Sequence, residues 1–171
     1  MIRDADLLEW IEDHADTILA CDADAMAELV ARNVAIKAAV VSADEREAGE
    51  RAHLNFGHTL GHAIEAYGGY GEVSHGEAVS LGMAAACRIA VTRGLIEADA
   101  AARVEDLLTR LGLPVRRPGL PFEKVWAIMQ HDKKALAGRV RMVLPVQLGT
   151  VALFDDLTPH AVQDAVEYLG S

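Results

Sequence analysis

Between residues 55 and 94 the sequence stops one helix and starts another within a few positions, and no other stretch constrains the fold as tightly. "HTLGHAIEAYGG" reads as a short helix that begins near Asn55 or Gly57 and ends at Gly68-Gly69, a strong C-terminal stop. Ser74-His75-Gly76-Glu77 then spells a capping box, with Ser74 at the N-cap and Glu77 at the third helical position. The second helix continues through "AVSLGMAAACRIAVTRG". Its small residues Gly76, Ala78, Gly82, Ala85 and Ala86 let a neighbouring helix approach closely. Two helices joined by so short a break fold back on each other as a hairpin.

The remaining pattern is also helical. Residues 4–20 carry Leu7, Leu8, Ile11, Ile18 and Leu19 near helical spacing, with acids early. A second helix is expected from Asp24 to Val41, with Met26, Leu29, Val30, Ile36 and Val40 on its inner side. Another spans about 97–111 and stops at Gly112 before Pro114. "GLPVRRPGLP" is a rigid connector, after which Pro121 opens a helix through Gln130. "GRVRMVLP" and "GTVALF" are β-type runs around a glycine-containing turn, and a final helix follows Thr158-Pro159. Aromatics are only 5% of the chain, so a tight, alanine-rich core follows rather than a broad sheet. The expectation is one mainly α domain over residues 1–171 with one short β-hairpin.

The formal net charge of −10 excludes a general nucleic-acid or anionic-membrane surface but leaves room for a local basic pocket. Cys21 and Cys87 show no CxxC spacing and read as reduced thiols. There is no charged-then-apolar leader and no run of membrane-spanning length, so a soluble cytoplasmic protein is expected. "GGYGEVSHG" does not follow a strand and matches neither GxGxxG nor GxxxxGK[ST]. The chain carries no nucleotide-binding fingerprint of its own.

Four of the seven histidines, His53, His58, His62 and His75, fall between residues 53 and 75. His58 and His62 are four apart and project from one helical face. A zinc protease would need glutamate where Thr59 stands. The pair therefore reads either as part of another metal site or as imidazoles capping carbonyls and packing at a helix crossing. His75 opens the returning helix and could bring in a further donor toward an open three-ligand site. Glu77 already has a capping role, Glu65 reads as a solvated face residue, and His53 as a polar loop residue. His14, His131 and His160 have no partners nearby in sequence. The cations Lys37, Arg51, Lys133 and Lys134, with Asn55, either converge on a phosphate or carboxylate or remain ordinary solvated side chains.

Taken together, "IKAAVVSADEREAGERAHLNFGHTLGHAIEAYGGYGEVSHGEAVSLGMA" resembles the signature region of the 3-dehydroquinate synthase family. "MQHDKKALAGRVRMVLPVQLGTV" resembles that family's late lysine motif and hairpin. The likeness runs essentially end to end, and LNFGHTLGHAIE with HGEAV is highly specific. It implies the multihelical C-terminal domain of a carbon–oxygen lyase that depends on NAD and on zinc or another divalent metal. The implied reaction converts 3-deoxy-arabino-heptulosonate 7-phosphate to 3-dehydroquinate and phosphate, in the shikimate pathway of aromatic amino acid biosynthesis. Its steps are alcohol oxidation by NAD, phosphate elimination, ketone reduction, ring opening and aldol closure.

Residue by residue, the resemblance makes His58 and His75 metal ligands and His62 an active-site proton shuttle. Lys37 and Arg51 become substrate-binding cations for the carboxylate, Asn55 a polar substrate contact, and Lys133 and Lys134 the cations at the phosphate end. Glu47 falls where the family has an acid near these cations. In the family a nucleotide-binding α/β domain and a third, glutamate ligand precede this region. The chain is therefore expected to be the metal- and substrate-binding domain without its NAD-binding domain, inactive alone and a homodimer when full length. The alternatives are another sugar-phosphate cyclase, such as a 2-deoxy-scyllo-inosose synthase, or a catalytically silent helical dimerisation module.

Overall fold

A computed structural model describes residues 2–44, 49–69, 72–131 and 140–171. Its helices are α1 (Ala5–Asp13), α2 (Ala15–Leu19), α3 (Ala23–Ala43), α4 (His58–Gly68), α5 (His75–Thr92), α6 (Ala98–Arg110), α7 (Phe122–His131) and α8 (Pro159–Leu169), with a 3-10 turn at Glu50–Asn55 before α4. Strands β1 (Met142–Gln147) and β2 (Thr150–Phe154) form one antiparallel hairpin. The mainly α expectation holds. Among the described residues no helix is long and apolar enough to cross a membrane.

Helix α5 is the axis of the molecule, packed by α4, α6, α8 and β1. Leu81, Ala84, Ala85, Ala86, Cys87, Ile89 and Ala90 are all buried along it. Small side chains here let four elements close on one helix, while Leu60 and Ile64 of α4 and Leu144 of β1 fill the remaining space. Burying each such leucine or isoleucine contributes about 2 kcal/mol.

The α4–α5 crossing is set by glycine. A Cβ on Gly82 would stand 1.9 Å from the Gly57 carbonyl oxygen, and one on Gly61 would stand 2.8 Å from that of Ala78. Gly57 itself has φ +78°, a conformation that disfavours a side chain, so the chain turns sharply into α4. Gly76 faces open space and takes no part in this contact. The capping box forms as expected: Glu77 N–H donates to the Ser74 hydroxyl and Ser74 N–H to the Glu77 carboxylate.

The strands pair from Met142↔Phe154 to Gln147↔Thr150, with an irregularity between Pro145 and Gln147. The Thr59 hydroxyl of α4 donates to the Arg141 carbonyl at 3.1 Å, tying the hairpin's entry to the helix. At the other end, Glu105 of α6 is buried yet satisfied. It accepts from Arg116 at 2.8 Å and from the Tyr168 hydroxyl at 3.0 Å, while the Arg116 guanidinium lies 3.9 Å over the Tyr168 ring. Burial and the Glu105 charge together push the Tyr168 hydroxyl above its usual range.

The N-terminal arm departs from the sequence pattern. Residues 4–20 form two helices, interrupted where the His14 ring donates through Nδ1 to the Trp10 carbonyl at 2.8 Å and stacks on Trp10. In α3 only Ala25 and Val40 are buried. Val30, expected to face inward, is 54% exposed and Val34 is 60% exposed. Among the described residues α3 packs chiefly on the 3-10 turn and α2, and most of its positions are exposed.

Candidate metal and substrate site

The glycine-locked crossing brings three imidazoles together. His58 and His62 stand one turn apart on α4, and His75 is the first residue of α5, directed there by the Ser74 cap. The ring centroids are 5.5 Å apart for His58–His62, 5.5 Å for His58–His75 and 5.7 Å for His62–His75. The His58 Nδ1 donates to the Phe56 carbonyl at 3.0 Å. The His75 Nδ1 lies 3.1 Å from a Glu65 carboxylate oxygen. In a neutral ring each of these contacts places the hydrogen on Nδ1 and leaves a lone pair on Nε2.

Neutral imidazoles with oriented outer nitrogens are chemically suited to zinc or a similar divalent metal. Among the described residues, however, no group of three or more His, Cys, Asp or Glu side chains is arranged to hold a metal ion. His58 and His75 offer two oriented imidazole nitrogens but do not by themselves make a complete metal site.

Two of the expected cations sit on elements linked to α4. Arg51 and Asn55, both half-buried, sit on the 3-10 turn that runs directly into α4. Lys37 is exposed on α3, which packs on that turn. The buried Asp44 fixes the turn's start: its carboxylate accepts from Gly49 N–H at 2.7 Å and Arg51 N–H at 3.1 Å. Glu47, Lys133 and Lys134 lie outside the described residues. His53 is half-buried on the same turn, and burial, reinforced by Arg3 and opposed by Glu50, holds its imidazole below the usual range. Glu77 is held below the usual carboxylate range by the Ser74 hydroxyl and backbone N–H, in keeping with a capping role.

Two participants are not among the site residues expected from sequence. Glu65 is not a solvated face residue but the hydrogen-bond partner of His75. Its position seven residues after His58, on the same helical face, was the available signal. Asp44 carries no local motif: its carboxylate meets the backbone of Gly49 and Arg51, five and seven residues further on.

Residues 1–135 match the family described as 3-dehydroquinate synthase C-terminal. The chain belongs to this family. A 3-dehydroquinate synthase of Acinetobacter baumannii (strain AYE) is 43% identical over 166 residues, covering 97% of this chain and 46% of the relative. Among solved structures, 2-epi-5-epi-valiolone synthase ValA from Streptomyces hygroscopicus subsp. jinggangensis 5008, with NAD+ and Zn2+ bound, superimposes with a TM-score of 0.87 at 26% identity, over 98% of this chain and 47% of that one. A 2-deoxy-scyllo-inosose synthase complexed with carbaglucose-6-phosphate, NAD+ and Co2+ shares the fold, with a TM-score of 0.69 at 24% identity over 79% of this chain and 40% of that one. The chain spans about half the length of the curated 3-dehydroquinate synthase it matches.

Proposed function

We propose that the chain is the metal- and substrate-binding half of a cytoplasmic 3-dehydroquinate synthase, which turns 3-deoxy-arabino-heptulosonate 7-phosphate into 3-dehydroquinate and phosphate. The observation that carries this reading is the convergence of His58, His62 and His75 in a chain of this family. His58 and His75 would hold zinc or a related divalent ion, completed by a ligand beyond these two. Bound there, the metal supplies a Lewis acid that polarises a substrate hydroxyl. Hydride chemistry belongs to NAD, held by a nucleotide-binding domain with which this half is paired.

The chain's own residues do the rest. His62, within the imidazole triangle, moves a proton to or from the substrate hydroxyls. Arg51 and Lys37 hold the carboxylate, Arg51 by a planar bidentate contact, and Asn55 orients a hydroxyl. Lys133 and Lys134 serve the phosphate end. Because the reaction needs NAD as hydride carrier and this half carries no nucleotide-binding fingerprint of its own, the half alone is expected to show no turnover.

A second reading is another sugar-phosphate cyclase, such as a 2-deoxy-scyllo-inosose synthase, acting on a sugar phosphate without a carboxylate; it is favoured by the fold shared with the solved enzyme complexed with carbaglucose-6-phosphate. A fusion of the nucleotide-binding half of the Acinetobacter enzyme to this chain separates the two, once NAD and zinc binding are verified. Phosphate release from the carboxylated substrate, falling about 10²-fold or more in His62→Ala, is the expected result. Release only from an uncarboxylated sugar phosphate would establish the sibling activity instead. A fusion that binds both groups yet releases phosphate from neither substrate would leave a silent helical module.

A further inference from the structure

The two imidazoles proposed to hold the metal are oriented by different means. His58 is fixed by a main-chain carbonyl, that of Phe56. His75 is 55% exposed and receives no such support. Among the described residues, the one hydrogen-bond partner of its ring is the Glu65 carboxylate, 3.1 Å from Nδ1. His58, His62 and Glu65 occupy positions i, i+4 and i+7 of α4, so one helical face presents two imidazoles and a carboxylate to the first turn of α5. Glu65 itself is only partly exposed, with 28% of its side-chain surface accessible.

We propose that Glu65 is a positioning residue of the metal centre: its carboxylate accepts the Nδ1–H of His75 and so presents Nε2 of that ring as the donor to a divalent metal shared with His58. This rests on the reading that His58 and His75 hold the metal. The chemistry is directional. A carboxylate can only accept a hydrogen bond, so the neutral ring beside it carries its hydrogen on Nδ1, whereas an imidazole free in water favours the other tautomer. Glu65 also contacts the ring edge away from Nε2, so one carboxylate oxygen cannot both bind this edge and ligate a metal on the other. Its place is behind the ligand, where it raises the basicity of Nε2 and stops the ring from rotating.

The test uses 15N-labelled chain without metal, at a pH where the imidazoles are neutral, with long-range 1H–15N correlations reporting each tautomer. The parent and Glu65→Gln, whose amide oxygen also accepts, should show His75 with hydrogen on Nδ1. Glu65→Ala should revert His75 to a mixture dominated by the Nε2–H form and leave His58 unchanged. Zinc affinity, read by competition with a chelator, should fall about 10- to 100-fold in Glu65→Ala and be largely restored in Glu65→Gln. A His75 tautomer indifferent to Glu65→Ala overturns the proposal. So does a tautomer that responds while zinc affinity does not, provided His58→Ala and His75→Ala do weaken zinc. If those two histidine variants also leave zinc affinity unchanged, the metal reading is the part that fails and the metal-centre role falls with it; the tautomer data then still report the Glu65–His75 contact.

Discussion

The α4–α5 crossing and the α3 arm are both alanine-rich helical structure, yet they are held by different physics. At the crossing, backbone meets backbone: Gly82 abuts the Gly57 carbonyl, and the side chains around it are buried. The arm keeps two buried residues in the 21 of α3 and relies on polar links at its base. Arg103 grips Glu12 of α1 through two contacts of 2.7 and 2.6 Å, and Arg32 of α3 reaches Asp4 at 3.4 Å. Surface ion pairs of this kind contribute about 0–1 kcal/mol each and weaken with salt. The lesson is one of division: the imidazoles sit on the part that geometry locks, while Lys37 rides on the part that solvent reaches.

The thiols give the sharpest contrast, since each region contains one. Cys21 joins α2 to α3 and is exposed, with φ +54°. Cys87 lies within α5, where burial and then the Glu105 charge push its thiol up to about 12. Under native conditions Cys21 should react with a disulfide reagent at least about 10³-fold faster than Cys87, because the latter requires the core to open. Comparable rates would show that α5 opens as readily as the arm.

Next in size is the crossing itself. Gly82→Ala places a methyl group against backbone that cannot yield, and should cost about 3 kcal/mol or more, or abolish folding. Gly76→Ala, in open space on the same helix, should instead gain up to about 1 kcal/mol. Denaturant midpoints for the two variants would contradict the geometric account if they shifted together. The smallest effect is expected on the arm: Val30→Ser and Val34→Ser should each change stability by no more than about 0.5 kcal/mol. A loss above about 1.5 kcal/mol from either would mean that α3 is supported by more than its exposed surface indicates.

What could be read in advance follows the same division. The Gly68-Gly69 stop, the Ser74–Glu77 box, the helix start after Thr158-Pro159 and the hairpin with its glycine-containing turn are local signals, each decided by a few neighbouring residues, and each appears where expected. Of the inward face expected for α3, Val40 is buried and Met26, Leu29 and Ile36 are half-buried, but Val30 is exposed, because alanine and valine occur all around that helix. The break at His14 carries neither proline nor glycine; it depends on the Trp10 carbonyl and ring. Gly76 and Gly82 look equivalent in sequence, and only the crossing distinguishes them. At the site, the i,i+4 histidines and His75 could be picked out, but the Glu65 contact forms only when α5 folds back on α4.

Thr59 carries a consequence for how such a scaffold can change. A single substitution there, Thr59→Glu, would write His-Glu-x-x-His into α4, the pattern on which zinc peptidases are built. Yet that hydroxyl is committed to the Arg141 carbonyl, on the side of the helix that carries the hairpin. A carboxylate introduced there would meet an acceptor with another acceptor and loosen the strand connection before it reached the imidazoles. One letter separates the two motifs, but the fold leaves the shortest path between their chemistries closed.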